Sequence, residues 1–226
     1  MSQESTKFER YIEQAIVWIR GHQERFWTIV GVAVLTVLFG FFAIQQHQRQ
    51  LDDAWAQLGN VQGALMQNRP DVATTNLKDW EKKYGSSGAA TYAKFLKADL
   101  LSKTSDYASA AQVYAELART AHPSVMQPLA LSAEISEEES AGKIPQARAT
   151  AQKFIELYPD HFFAASAYMS QARLAEMSGD KVEASRLYER FVVLYPQSPW
   201  TASVRNHLQM ITPAKTASPS IPELGR

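Results

Sequence analysis

Histidine, carboxylate and serine side chains are where chemistry would first show in this chain. The five histidines, His22, His47, His122, His161 and His207, are scattered along it. None stands in a His-Glu-x-x-His spacing, which on a helix sets two imidazoles on one face to share a zinc ion. The densest group of oxygen ligands is Glu137-Glu138-Glu139. Consecutive helical positions point in different directions and converge poorly on a cation, so the run reads as a solvated helix face. Serines are plentiful, but no Gly-x-Ser-x-Gly elbow presents one as a nucleophile. No glycine-rich loop offers its amides to a phosphate. The chain has no cysteine, which excludes disulfides, thiolate metal sites, thiol nucleophiles and a lipidated cysteine anchor. That absence fits either redox compartment. A formal net charge of zero lacks the basic footprint that nucleic acid selects. The expectation is a protein with no catalytic residues, no metal and no cofactor, whose work is done by binding surfaces.

Those surfaces must be carried by helices. Residues 162–196 read as two helices around Gly179-Asp180. The first carries Ala165, Tyr168, Ala172 and Ala175 on one face, and the second Ala184, Tyr188, Phe191 and Val192. Gly179 suits the left-handed residue that ends a helix, and Asp180 suits the cap of the next. Pro196 closes the second helix. Stepping back by 37 residues turns Ala184 into Ala147, Ala110 and Ala73, and Phe191 into Phe154, Leu117 and Trp80. The same step turns Tyr195 into Tyr158, Ala121 and Tyr84. It turns Gly179-Asp180 into Gly142-Lys143, Ser105-Asp106 and Asn68-Arg69. This internal repeat predicts an all-α solenoid of about four helical hairpins. The small residue lets the two helices of a hairpin approach, and the bulky one fills the space between units.

The pattern resembles the tetratricopeptide repeat over roughly residues 51–211. The matching features are the turn pair, the Ala that follows it, the aromatic four residues later (Tyr114, Tyr188) and the closing Pro159 and Pro196. The interval departs from the family's usual length of about 34 residues. The first helices of units one and two also depart, with Gln57, Asn60, Lys94 and Lys97 at positions the family usually fills with apolar residues. A rotation or shift of those helices is expected. The resemblance implies that the first helix of each unit lines a groove. That side would hold Trp55, Leu58, Leu65, Tyr92, Phe95, Leu129 and Met169, with Gln62, Asp99, Ser136, Glu139, Arg173 and Glu176 among them. An apolar stripe with polar groups interspersed suits an amphipathic helix or an extended segment of a partner. Tyr92, Phe95 and Leu129 serve equally as inter-helix core. Trp55 and Leu58 lie on a helix with no preceding repeat, and their exposure to partner or lipid is expected.

The amino-terminal part differs in character. Residues 6–20 set Phe8, Tyr11, Ile12, Ala15 and Ile19 on one face, as in a short helix lying on a membrane surface; packing on another part of the protein is the alternative. Residues 26–44 contain no charge, and as a helix they reach about 28 Å, close to the hydrocarbon thickness. A cleaved signal peptide would end at a poor site, since bulky Phe41 stands two residues before Ala43. A core helix would need a large domain around it. Lys7, Arg10, Arg20 and Arg25 precede the run, whereas Arg49 is the one basic residue among 45–64. The positive-inside rule keeps the amino terminus in the cytoplasm and sends the repeats across, into the periplasm of a bacterium with two membranes. The expected organisation is a cytoplasmic amphipathic segment at 1–25, a transmembrane helix at 26–44, a repeat domain at 45–211 and a disordered tail at 212–226. Residues 45–55 have no Gly or Pro and should carry the helix into the first repeat.

This architecture, together with Tyr92 to Leu101 (YAKFLKADLL), resembles the YfgM-type family, the ancillary subunit of the SecYEG translocon. The resemblance implies a non-catalytic scaffold at the bacterial inner membrane that meets translocon subunits and the membrane-anchored chaperone PpiD, with no nucleic acid. It assigns no binding residues. The alternative is a scaffold for envelope assembly similar to the repeat proteins of the Tol-Pal and outer-membrane biogenesis systems, whose repeats the Tyr158-Pro159 and Tyr195-Pro196 endings resemble. An enzyme, or an enzyme's regulatory subunit, is the reading from a different class.

Overall fold

A computed structural model describes residues 20–21 and 23–211. The tail 212–226 lies outside the described residues, as does the short helix expected over 6–20, apart from Arg20. Among the described residues every regular element is helical. The chain divides into two units, Met1–Asp53 and Ala54–Arg226. Helix α1, Gln23–Met66, belongs to both. In the first unit its apolar stretch is exposed along its length, from Val32 to Ile44. Among the described residues it is the one helix long and apolar enough to cross a membrane.

The second unit is an array of hairpins. Residues 54–66 of α1 pair with α2, Pro70–Tyr84. Helix α3, Ala90–Lys103, pairs with α4, Tyr107–Thr120. After a short 3-10 turn, α5 (Gln127–Ser140) pairs with α6 (Ile144–Leu157). Helix α7, Ala164–Met177, pairs with α8, Lys181–Leu194, and α9, Thr201–Ile211, closes the array. The expected 37-residue interval governs the packing. Ala73, Ala110, Ala147 and Ala184 are each wholly buried, as are Phe154 and Phe191, with Trp80 and Leu117 at 1% exposure. Leu117, Phe154 and Phe191 reach beyond their own hairpins. Leu117 clusters with Phe95 and Ala98 of its first helix and with Ala130 of α5. Phe154 joins Leu131 and Ile135 to Ala164 and Ala167 of α7. Phe191 joins Tyr168 and Ala172 to Val204 of α9. Helix α9 thus occupies the place of a fifth unit's first helix. Thr201 anchors its start by donating to the Tyr195 carbonyl at 2.6 Å.

The turns share one backbone conformation. Asn68, Ser105, Gly142 and Gly179, each 37 residues from the next, all have positive φ, at 54°, 63°, 72° and 82°. Each closes a Schellman motif, as in Asp106 N–H to Leu101 C=O at 2.9 Å and Asp180 N–H to Ala175 C=O at 3.0 Å. The Asp106 and Asp180 carboxylates then accept from Ser109 and Glu183 amides and cap the following helices. The first and third hairpins lack that cap and start their second helices with Pro70 and Pro145 instead.

The acidic run departs from expectation. Glu137, Glu138 and Glu139 are half-buried rather than a solvated face. Their divergence is what burial exploits. Glu137 faces Ser102 of α3, Glu138 faces Thr150 of α6, and Glu139 pairs with Arg173 of α7. One turn earlier, Glu134 is desolvated beside Glu138, and its carboxyl is pushed up to about 7 against the opposing pull of Lys153 and Arg119.

Phe191→Ala should lose about 3–5 kcal/mol, because the cavity would lie between α8 and α9 where neither helix can collapse. Chemical denaturation of the detergent-solubilised chain measures it, and an unchanged midpoint would refute the packing described. Gly179→Ala should cost about 1–2 kcal/mol for placing a Cβ at positive φ. Ser105→Gly should gain about 0.5–1 kcal/mol, because at that position glycine relieves strain. Glu134 has a folded pKa above its unfolded value, so its contribution is fully present below about 4.5 and is lost as pH rises through about 7. Melting temperature should therefore fall across that window, and the fall should be shallower in Glu134→Gln.

Candidate functional site

A concave surface lies between the first helices of units one and two. Residues 54–66 of α1 contribute Gln62, Leu65 and Met66. Helix α3 contributes Tyr92, Phe95, Leu96, Asp99, Ser102 and Lys103 around a cleft of about 400 Å³. Two helical periods build it. Leu65 lies next to Met66 and Gln62 one turn before it, while Tyr92, Phe95, Leu96 and Asp99 follow the i, i+3, i+4, i+7 stripe of α3. Leu65, Phe95 and Leu96 are buried and form an apolar floor. Gln62 and Asp99 are exposed at its rim, and Tyr92 is half-buried.

Neighbouring side chains hold the cleft in shape. Tyr92 donates to Gln62 Oε1 at 3.1 Å, tying the two walls. The Trp55 ring lies 5.5 Å from that of Tyr92 and extends the apolar surface while remaining 45% exposed. Below the rim, Tyr114 of α4 donates to Asp99 Oδ1 and stacks edge-on against Phe95 at 5.9 Å. Burial, then the Asp99 carboxylate, push the Tyr114 phenol well above its ordinary range, so it stays a donor. Asp99 is thereby fixed as an acceptor facing the cleft.

Three of the four polar residues that broke the family pattern, Gln57, Lys94 and Lys97, bridge helices, while Asn60 is exposed. Gln57 donates to the Tyr84 hydroxyl at 3.1 Å, and Trp80 donates to the Ala54 carbonyl at 2.8 Å. Lys94 pairs with Glu116 of α4 at 2.6 Å, and Lys97 with Glu81 of α2 at 3.0 Å. One expectation is overturned here. Leu58 is wholly buried, because α2 covers the face of α1 that a preceding repeat was thought necessary to cover. Phe95 is core at the floor of the cleft, while Leu129 is 43% exposed on α5.

The named groove residues separate into two places. Gln62, Tyr92, Phe95 and Asp99 meet in the cleft, with Trp55 beside it. Met169 and Arg173 lie on α7, where Met169 packs on the fourth hairpin's core and Arg173 is held by Glu139. Nearby, Glu176 accepts from the Tyr188 hydroxyl at 3.3 Å and pairs with His207 of α9 at 2.8 Å. Sequence reasoning missed Met66, Leu96, Ser102 and Lys103, although each stands three or four residues after a named member. It also missed a second cleft of about 340 Å³ between α6, α7 and α8, lined by Arg148, Gln152, Tyr168, Gln171, Arg186 and Arg190 among others. There Gln171 donates to Gln152 at 2.8 Å, and Arg186 grips Glu183 through two nitrogens. Among the described residues no three His, Asp or Glu side chains stand together as a metal would require.

A 400 Å³ cleft with an apolar floor and a fixed polar rim matches the side chains of a short peptide or helix. The tetratricopeptide repeat family model matches residues 135–161 and 166–198, which cover much of units three and four. No curated protein sequence matches the chain significantly. The hairpin array is a tetratricopeptide-like helical solenoid, a fold whose repeats mediate protein–protein interaction, and it is carried behind one helix apolar and long enough to span a membrane.

Proposed function

We propose that the protein is a non-catalytic, membrane-anchored scaffold that receives a helical or extended segment of a partner in the cleft between α1 and α3. The observation that carries this reading is the cleft itself, whose floor is apolar and whose rim is set by Tyr92–Gln62 and Tyr114–Asp99. The exposed apolar surface of residues 32–44 supports an anchor, since an exposed apolar stretch of that size calls for a covering phase and its length as a helix suits a bilayer. The basic residues Lys7, Arg10, Arg20 and Arg25 support an amino terminus in the cytoplasm and repeats in the periplasm. With the YfgM-type resemblance, the reading is a scaffold at the bacterial inner membrane that serves the Sec translocon and a membrane-anchored chaperone such as PpiD. The Tyr-Pro steps that follow α6 and α8 favour a second reading, a scaffold for envelope or outer-membrane assembly.

Photo-crosslinking in cells from Trp55 and Gln62 separates these readings. Capture of translocon or chaperone subunits supports the first, and capture of envelope-assembly proteins replaces it with the second. Gln62→Arg with Lys103→Glu, both at the rim, should cut the crosslink from Trp55 about tenfold. Copurification of the partner undiminished by that pair would remove the cleft from the interface. Protease outside intact spheroplasts should digest the repeats; protection until lysis would reverse the orientation.

A further inference from the structure

The two edges of the hairpin array differ in chemistry. One edge holds the turns within hairpins, 67–69, 104–106, 141–143 and 178–180. Each contains one charged residue, namely Arg69, Asp106, Lys143 and Asp180. The other edge holds the connections between hairpins, 85–89, 121–126, 158–163 and 195–200. These contain a single formal charge, Asp160.

Large apolar side chains are exposed at both edges, Met66, Met177 and Val182 beside the hairpin turns among them, but at the second edge they stand in register and include aromatic rings. Val125 and Phe162, 37 residues apart, are 73% and 76% exposed. Trp200 occupies the next connection, one residue past the same register, and is 46% exposed. Leu157 and Leu194, again 37 apart, end α6 and α8 and are exposed as well. The Phe162 ring lies 3.9 Å from that of Phe163 and 4.6 Å from that of His161, forming an aromatic group at this connection. Isolated apolar residues on a surface are ordinary. A row of them on connections with one formal charge, beside helix ends that carry Glu81, Lys82, Lys83, Arg119 and Glu156, is the composition of a surface that enters a lipid interface, where Trp and Phe rings are favoured and charged side chains reach the headgroups.

The same edge is the tethered one. Trp80, in the last turn and a half of α2, bonds the Ala54 carbonyl at 2.8 Å, so residue 54 stands at the inter-hairpin end of the first unit. Residues 45–53 alone separate it from the apolar run 26–44, and even fully extended they reach at most roughly 35 Å. A tether of that length supplies a high effective concentration of bilayer, so weak side-chain insertion suffices. We infer that the inter-hairpin edge, through Val125, Phe162 and Trp200, inserts into the headgroup region of the bilayer that the chain's own span crosses. This rests on the anchored reading above.

The absence of cysteine makes the test direct, because single cysteines can carry a polarity-sensitive fluorophore without a cysteine-free background. The full chain is reconstituted into vesicles of mixed neutral and anionic phospholipid with the label at Leu35→Cys, Phe162→Cys or Lys181→Cys. Leu35 reports the span and Lys181 the opposite, hairpin-turn edge; Phe162 is too exposed for its loss to unfold the array. Labels at 35 and 162 should be quenched by nitroxide-bearing lipid and shielded from aqueous iodide, with the quenching constant for iodide at 162 at least about threefold below that at 181. A label at 162 as open to iodide as that at 181, with 35 still quenched by lipid, overturns the inference and leaves the anchor standing. Shielding at 162 without lipid quenching assigns the edge to protein, a second copy included, and also overturns it. A label at 35 that lipid does not quench overturns the anchor and this inference together.

Discussion

Everything in the array depends on how near the second helix of each hairpin can come to the first. An alanine at the contact sets that distance, and four alanines at one interval set it four times. Close approach leaves a gap on the far side, between one hairpin and the next. Trp80, Leu117, Phe154 and Phe191 are sized to fill it. The two positions are therefore one constraint. A larger residue at the alanine would push the helices apart, and a smaller one at the aromatic would leave a void that dense packing does not tolerate. Because Leu117, Phe154 and Phe191 also touch the helix that follows their hairpins, stability is shared between neighbours, as expected of a quasi-one-dimensional protein.

Much of this was legible in the residues themselves. The interval, the hairpin turns and the buried face follow from side-chain size and from the chemistry of positive φ, both local properties. Even Ser105 and Asn68, poorer left-handed residues than glycine, were marked by register alone. What was not legible depended on neighbours. Leu58 was expected at the surface because no unit precedes it, yet its own hairpin partner suffices to bury it. Glu137, Glu138 and Glu139 diverge, as consecutive helical residues must, and divergence was taken to mean solvent. In the array, three other helices stand in those three directions.

The candidate site shows the same boundary. Periodicity placed Gln62, Tyr92, Phe95 and Asp99 on the right faces of their helices, and the cleft joins them. It could not say that Met169 and Arg173, on an equivalent face two hairpins on, would be taken up by the packing and ion pairs of unit four. A register states which way a side chain points. Whether two such side chains share one concavity depends on how neighbouring helices are spaced, which no single register states. Around this cleft Lys97–Glu81 crosses from the first hairpin to the second and Lys94–Glu116 joins the two helices of the second, exposed pairs that contribute little to stability.

The three glutamates of α5 have an evolutionary corollary. Repeat arrays change length by gaining or losing whole units, and a unit is dispensable when its neighbours can meet without it. Removing the third hairpin would strip Ser102 and Arg173 of the acids that face them. The fourth hairpin could be duplicated with far less disturbance, because its filler Phe191 would meet a copy of α7 as readily as it meets α9. In related chains, variation in the number of repeats should accumulate at the carboxyl-terminal end, with the middle hairpin retained.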